Sequence, residues 1–203
     1  MGSARLISEL LARVRDPMVI DAIAEVPRDA FVPETLKDVA WENEALPLPE
    51  GQSISQPTVV AEMCEMLDLR ETDLVLDIGT GSGYHAAVLA RLGERVISIE
   101  RHPALAETAR ESLARAGVRN VTVLVGDGSR GIPERAPFDA INVGAACAGD
   151  PDPALLEQLT EGGRMVVPVG DRAGQRLNLF RSRNGRIERR VDGAVRFVPL
   201  ISG

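Results

Sequence analysis

The sequence predicts a doubly wound α/β fold, with a helical cap before the sheet and antiparallel strands after it. Three observations carry this. Short apolar runs alternate with helical patterns between residues 57 and 170. The first run, Leu74 to Ile78, stops at the glycine cluster Gly79-Thr80-Gly81-Ser82-Gly83, and Ala86, Val88, Leu89 and Leu92 follow at helical spacing. Beyond residue 171 the helical patterns give way to apolar runs joined by Asn184-Gly185 and Asp192-Gly193, dipeptides that favour tight hairpins. The chain has 203 residues, 44% of them hydrophobic but only 3% aromatic. One domain with a core of Val, Leu, Ile and Ala fits those figures and suits helices packed on a parallel sheet.

Taken in order, Ser3 can cap a first helix with Leu6, Ile7, Leu10, Leu11 and Val14 on one face. Asp16-Pro17 starts a second, the aspartate as cap and the proline at the first helical position, with Val19, Ile20, Ile23 and Val26 inward. Pro27 and Pro33 break the chain around Phe31, and a short helix from Leu36 to Trp41 is expected. Glu44 to Ile54 reads as an irregular loop or a short edge hairpin. Pro57 opens a helix through Val59, Val60, Met63, Cys64 and Leu67. After the glycine loop, strands are expected at Val96–Ile99, Val121–Val125, Phe138–Val143 and Met165–Val169. Helices should run from Pro103 to about Ala116 and from Leu155 to Leu159. Leu177–Phe180, Ile187–Val191 and Val195–Leu200 should close the sheet as antiparallel strands.

Several function classes are disfavoured. The net charge of −7 argues against nonspecific nucleic-acid binding. The five arginines between Arg181 and Arg190 read as a solvated hairpin face. Cys64 and Cys147 show no metal or redox spacing and fit a reducing, cytoplasmic setting, and His85 and His102 are too few and too separated for a metal site. No apolar run is long enough to span a membrane, and the N-terminus lacks a signal-peptide pattern.

The spacing at the glycine loop is G-x-G-x-G with Asp77 two residues ahead, not the G-x-G-x-x-G of dinucleotide binders, which disfavours a nicotinamide oxidoreductase. An acid at that mouth would repel a pyrophosphate but suits an ammonium beside a sulfonium, which points to S-adenosylmethionine. Glu100, at the end of the next strand, is placed to accept bonds from two ribose hydroxyls. Asp127, before Gly128 at the end of the third, can accept from an exocyclic amino group such as that of adenine. Ser55 and Gln56 sit at a helix N-terminus, where either could simply be a cap.

Over nearly its whole length the chain resembles the protein-L-isoaspartate O-methyltransferase family. The resemblance rests on Glu25-Val26-Pro27-Arg28, Gly51 through Pro57, Val75 through Ala90, Val125-Gly126-Asp127-Gly128, Ala136 through Ile141, Gly162-Gly163-Arg164, Val167-Pro168-Val169-Gly170 and Val195 through Leu200. It implies a Rossmann-like class I methyltransferase fold in one domain, with a cap and active-site loop (1–56), a cofactor-binding core (57–170) and antiparallel C-terminal strands (171–203). It implies methylation of the α-carboxylate of isoaspartyl residues in damaged proteins and peptides, with S-adenosylhomocysteine as product and a succinimide on the way to repair.

Carried over by position, Ser55 is the active-site hydroxyl. Gln52, Ser53, Ile54, Asp77, Gly79, Gly81, Ser82, Glu100, Arg101, Asp127 and Gly128 face the cofactor, and Ile54, Ser55, Val195, Val198 and Leu200 face the peptide. The expected protein is a cytoplasmic monomer without metal, nucleic-acid or membrane partners. Two departures stand out. The family's Ala-Pro-x-x-Pro is replaced by Cys147-Ala148-Gly149-Asp150-Pro151-Asp152-Pro153, and Ile201 stands where some relatives have threonine. Two other readings share the cofactor. One is a biosynthetic relative that forms an aspartimide in a ribosomally made peptide, disfavoured because such relatives often carry an extra C-terminal domain. The other is a non-catalytic S-adenosylmethionine-binding module.

Overall fold

A computed structural model describes residues 2–202. Helix α1 (Gly2–Leu10) buries Leu6 and Leu10. The capping role expected of Ser3 falls on a side chain outside those described. Leu11, expected on the inward face, follows the last residue of the helix and is 63% exposed. Helix α2 (Pro17–Glu25) is capped as its sequence requires, the Asp16 side chain accepting the Met18 N–H at 2.9 Å. Two 3₁₀ turns follow, Arg28–Phe31 and Glu34–Val39, the second in place of the helix expected to reach Trp41. The segment 44–54 is a hairpin of two minimal antiparallel strands, β1 (Leu46–Pro47) and β2 (Ser53–Ile54).

Helix α3 (Pro57–Leu67) leads to β3 (Leu74–Ile78), α4 (Tyr84–Leu92), β4 (Arg95–Glu100), α5 (Pro103–Arg115), β5 (Val121–Val125) and β6 (Phe138–Val143). Helix α6 is only Pro153–Leu156, and β7 (Leu159–Asp171), β8 (Gly174–Arg183) and β9 (Arg186–Val195) complete the chain. The helix expected at Leu155–Leu159 starts earlier, where Asp152 caps Ala154 N–H at 2.9 Å and Pro153 takes the first helical position. Leu159 already belongs to β7.

The seven-stranded sheet has the order β5-β4-β3-β6-β7-β8-β9, parallel through β7 and antiparallel beyond. Its covering is lopsided. Val75, Val96, Ala140 and Val166 pack with side chains of α1 to α5, whereas Leu76, Ile97, Ile141 and Met165 pack under Leu155 of α6 and Ile132 of the β5–β6 connection. Period-2 alternation sends each strand's residues to these two cores in turn.

Two expectations about the tail are corrected. Asn184-Gly185 does make the hairpin turn, with φ of 52° and 70°. Asp192-Gly193 does not: it lies inside β9, where two residues oppose Leu177 alone, a β-bulge. Residues 196–201 form no strand of the sheet. They cross the strand ends instead, making a single parallel bridge between Pro199 and Ala146. Among the described residues no helix is long and apolar enough to cross a membrane.

The lower part of the sheet is tied by Arg164, which is almost wholly buried. Its Nε donates to Leu67 O at 2.6 Å, Nη1 to Asp139 O at 3.1 Å, and Nη2 to Asp68 O at 2.5 Å and Asp73 Oδ2 at 2.7 Å. Replacing Arg164 by Met would leave Asp73 buried without its cation and three carbonyls without donors. The expected loss is roughly 3–5 kcal/mol, read as a lower urea midpoint at unchanged slope. A change under about 1 kcal/mol, the usual worth of a surface pair, would show that the cluster is not the tie described.

Candidate active site

Strands β3, β4, β5 and β6 end at one crevice, as a parallel sheet requires. The turn after β3 uses glycines in the left-handed region, with φ of 88° at Gly79, 55° at Gly81 and 88° at Gly83, and its last glycine is the N-cap of α4. A Cβ at Gly144, after β6, would stand 3.1 Å from Gly79 O. One at Gly128 would stand 2.7 Å from Ile99 Cγ2 and 2.9 Å from Ile78 Cγ2. Both glycines are therefore dictated by packing at the crevice floor.

Ten of the residues expected in the site line this crevice: Gln52, Ser53, Gly79, Gly81, Glu100, Arg101, Asp127, Gly128, Val198 and Leu200. Glu100 is 5% exposed, and its carboxylate accepts Gly81 N–H at 2.9 Å and His102 N–H at 3.0 Å, one on each oxygen. That fixes the carboxylate while each oxygen keeps a further lone pair. Asp127 is exposed, and its Oδ1 accepts Ser129 N–H at 2.8 Å. Arg101 donates to Ile201 O at 3.2 Å, and both residues line the crevice. The tail is docked by Ala146 N–H to Val198 O and Leu200 N–H to Ala146 O, both at 2.8 Å.

The other expected residues lie outside the crevice lining. Ile54 is 3% exposed and packs in the core. Ser55 is half-buried, two positions beyond Ser53. Gln56 occupies the N-cap position of α3, but its Nε2 donates to Asn43 O at 2.8 Å. Ser82 Oγ accepts Tyr84 N–H at 3.3 Å, inside the first turn of α4. Val195 ends β9 opposite Gln175.

Asp77 points into the sheet's helix-rich side. Its carboxylate accepts Ser98 Oγ–H at 2.6 Å and Asn142 Nδ2–H at 2.7 Å, from the residues directly beside it on β4 and β6. Burial raises its pKa, and these two bonds oppose the rise. The row extends to Thr80 Oγ1, 2.5 Å from Ser98 Oγ, and to His85, whose Nδ1 is 3.2 Å from Asn142 Nδ2 and whose Nε2 is 3.6 Å from Cys64 Sγ.

Sequence reasoning missed Gly126, His102, Gly144 and Ala145, which also line the crevice. Gly126, Gly144 and Ala145 had a usable signal, since they follow directly on the end of a parallel strand.

Residues 3–203 match the sequence family described as protein-L-isoaspartate(D-aspartate) O-methyltransferase. The chain belongs to that family. Among its relatives, the protein-L-isoaspartate O-methyltransferase of Methanoculleus marisnigri is 52% identical over 188 residues, 93% of this chain and 85% of that one. The namesake from Roseiflexus sp. is 50% identical over 203 residues, 98% of this chain and 92% of that one. A solved structure titled protein-L-isoaspartate O-methyltransferase superposes with a TM-score of 0.88 at 29% identity, covering 99% of this chain and 66% of that chain. A Plasmodium falciparum structure, titled as a complex with S-adenosyl-L-homocysteine, shares the fold, with a TM-score of 0.85 at 24% identity over 97% of both chains.

Against the isoaspartate methyltransferase pattern, the acidic loop after Ala146 is less open in charge than its sequence implied. Asp150 lies 2.7 Å from Arg189, and Asp152, besides capping α6, lies 3.4 Å from Arg130. These exposed pairs are individually weak, but they turn both carboxylates toward cations of this chain.

Burial lowers the His85 pKa from 6.5 to about 4, so the ring is neutral at pH 7. A lowered pKa means stability that is fully present above about pH 6.5 and lost as pH falls toward 4. A shift of that size is worth up to about 3 kcal/mol, with partial exposure of the residue making this an upper bound. His85→Gln should therefore lose less stability than the parent in urea between pH 7 and pH 4.5. Equal losses would place His85 outside the acid response.

Proposed function

We propose that this chain transfers the methyl group of S-adenosylmethionine to the α-carboxylate of L-isoaspartyl residues in damaged proteins and peptides. The ester then collapses to a succinimide, from which normal aspartate can be recovered. The observation that carries this reading is the family match over residues 3–203, joined to relatives near 50% identity that share one activity name.

The crevice suits that cofactor. Its floor is bare backbone at Gly79, Gly128 and Gly144, and its charged lining is Glu100 and Asp127 beside Arg101, whose guanidinium donates to Ile201 O. When bound, S-adenosylmethionine supplies an electrophilic methyl group on a sulfonium, open to in-line displacement by a carboxylate oxygen. In this reading Glu100 holds the ribose hydroxyls, Asp127 the adenine amino group, and the Gly79–Gly81 turn leaves room for close approach. Gln52 and Ser53 cover the crevice from the β1–β2 hairpin. Asp77 and Ser82 act from beneath, shaping the turn through Ser98, Asn142 and Tyr84 N–H.

Ser55 orients the acceptor carboxylate as a hydrogen-bond donor. The attacking carboxylate is already ionised at neutral pH and needs no base. What the chain contributes is alignment and removal of water from two charged reactants. Val195, Val198 and Leu200, with Ile54 and Ser55, form the segments against which an extended peptide would lie.

We read all 203 residues as one methyltransferase unit with the cap, core and tail divided as above. The crevice is walled by the chain's own cap and tail, which supports a monomer as the working unit. A net charge of −7 and two free buried cysteines support a cytoplasmic protein without nucleic-acid partners.

The test is kcat/KM on isoaspartyl peptides varied on both sides of the residue, beside their aspartyl counterparts. Activity across the isoaspartyl set with none on the aspartyl set is expected. Activity on aspartate confined to one peptide context would favour aspartimide biosynthesis, and no release of methanol from any peptide would favour a mere binding module. Ser55→Ala should lower kcat by about 10- to 100-fold, the worth of a hydrogen bond to a charged group, with cofactor affinity unchanged. Asp127→Ala should do the reverse, weakening cofactor binding by roughly 1–3 kcal/mol in calorimetry.

A further inference from the structure

The hairpin that carries Gln52 and Ser53, with Ser55 just beyond it, is held in part by a residue that the reaction chemistry does not require. Asn43 stands just ahead of β1 and makes four bonds to distant parts of the chain. Its Oδ1 accepts Thr58 N–H at 3.1 Å and Thr58 Oγ1–H at 2.8 Å, fifteen residues on. Its backbone carbonyl accepts Gln56 Nε2–H at 2.8 Å, and its own Nδ2 donates to Glu9 Oε2 on α1 at 2.9 Å. Helix α3 is thereby capped not by its own N-cap residue but by a side chain from the far side of the hairpin.

The geometry closes a loop. Residues 44–57 leave the cap at Asn43 and return to it at Gln56 and Thr58, and Thr58 is 3% exposed. Within the loop the two-residue pairing of β1 with β2 is extended by Leu48 N–H to Gln52 O at 2.8 Å and a 3₁₀ turn at Pro49–Gly51, with Leu46 and Ile54 buried in the core. The approach to Asn43 is fixed as well, because buried Arg28 donates to Ala40 O at 2.7 Å and Glu44 O at 3.2 Å. Closing a segment of this length at one hub removes conformers that the short hairpin alone would not exclude.

We propose that Asn43 is a positioning residue for methyl transfer: it sets the segment from Gln52 to Ser55 over the crevice by joining α1, the cap loop and the start of α3. This rests on the reading of that segment as part of the active site. Asn43 itself lies outside the crevice lining. Its effect should therefore fall on turnover, where a displacement of about 1 Å can cost up to a hundredfold.

The experiment compares Asn43→Ala, Asn43→Asp, Glu9→Gln and the double variant Asn43→Asp with Glu9→Gln, using an isoaspartyl peptide at saturating S-adenosylmethionine well below every melting temperature. Asn43→Ala should lower kcat about 10- to 100-fold. Asn43→Asp keeps both acceptor bonds to Thr58 but faces Glu9, so it should be impaired less. In the double variant the amide introduced on α1 can donate to the carboxylate introduced ahead of β1. There kcat should return to within about threefold of the parent, while Glu9→Gln alone should be silent.

Parental kcat in Asn43→Ala would overturn the proposal, as would a double variant no better than Asn43→Asp alone. Ser55→Ala, run in parallel, separates this from the reading it rests on. An active Ser55→Ala with an impaired Asn43→Ala keeps the clamp and removes the serine's role. An inactive Ser55→Ala with a parental Asn43→Ala does the opposite.

Discussion

Four strand ends can share one crevice only where backbone stands in place of side chains. The distances at Gly128 and Gly144 state this constraint most sharply. A methyl at Gly128 would overlap Ile78 and Ile99, and one at Gly144 would press on the carbonyl of Gly79. The rest of the site is arranged around that bare floor. Glu100 stays fixed because it accepts the amides of Gly81 and His102, so the same carboxylate that faces the crevice also orders the glycine turn. The tail reaches the opening through Ala146, two residues past Gly144, and that contact depends on β6 ending where it does.

Much of the polarity buried behind the floor is answered by neighbours rather than avoided, although Asn142 Oδ1 has no hydrogen-bond partner among the described residues. Asp77, Ser98 and Asn142 are register partners on three adjacent parallel strands and point to one face, which makes a hydrogen-bonded row possible without any cation. Two buried arginines work differently. Arg164 gathers backbone carbonyls from separate segments and Arg28 gathers two from the loop before β1, each using the several donors of one planar guanidinium. Arg28 also lies 4.8 Å over the ring of Tyr84, the first residue of α4, so the cap is tied to the helix that begins at the glycine turn. Lysine has one donor group and could not reproduce either arrangement.

The central strands and α3 to α5 were legible because apolar period, glycine turns and proline starts agree there. The errors in the tail lie where one local signal has two structural uses. Asp192-Gly193 has the chemistry of a hairpin turn, but a bulge asks for the same backbone freedom, and only the pairing partner decides between them. Val195 to Leu200 reads as a strand and is extended, yet it leaves the sheet to cross the crevice, which no local pattern records. At the site, the glycine turn, Glu100 and Asp127-Gly128 were legible from their places at strand ends. Asp77 was read as facing the ligand because of its nearness to Gly79. Strand parity puts it on the side of Val75, away from Ile78, and that parity was present in the sequence. Asn43 could not have been found, since its four bonds go to positions 9, 56 and 58, which meet only in three dimensions.

The tail bears on how a site could favour isoaspartate over aspartate in many sequence contexts. The two isomers differ in backbone path: in isoaspartate the chain continues through the side-chain carbonyl, and the α-carboxylate hangs from a one-carbon branch. Side-chain pockets would read the neighbours instead of this shift. A wall of backbone can read the shift itself, since main-chain bonds repeat along any extended peptide. Residues 196–201 supply such a wall in the proposed reading. Ala146 engages Val198 O and Leu200 N on one edge, Gln175 grips both Phe197 N and O, and Arg101 holds Ile201 O. These bonds hold the wall in place. A protein facing damage at unpredictable positions gains more from that tolerance than from affinity for any one sequence.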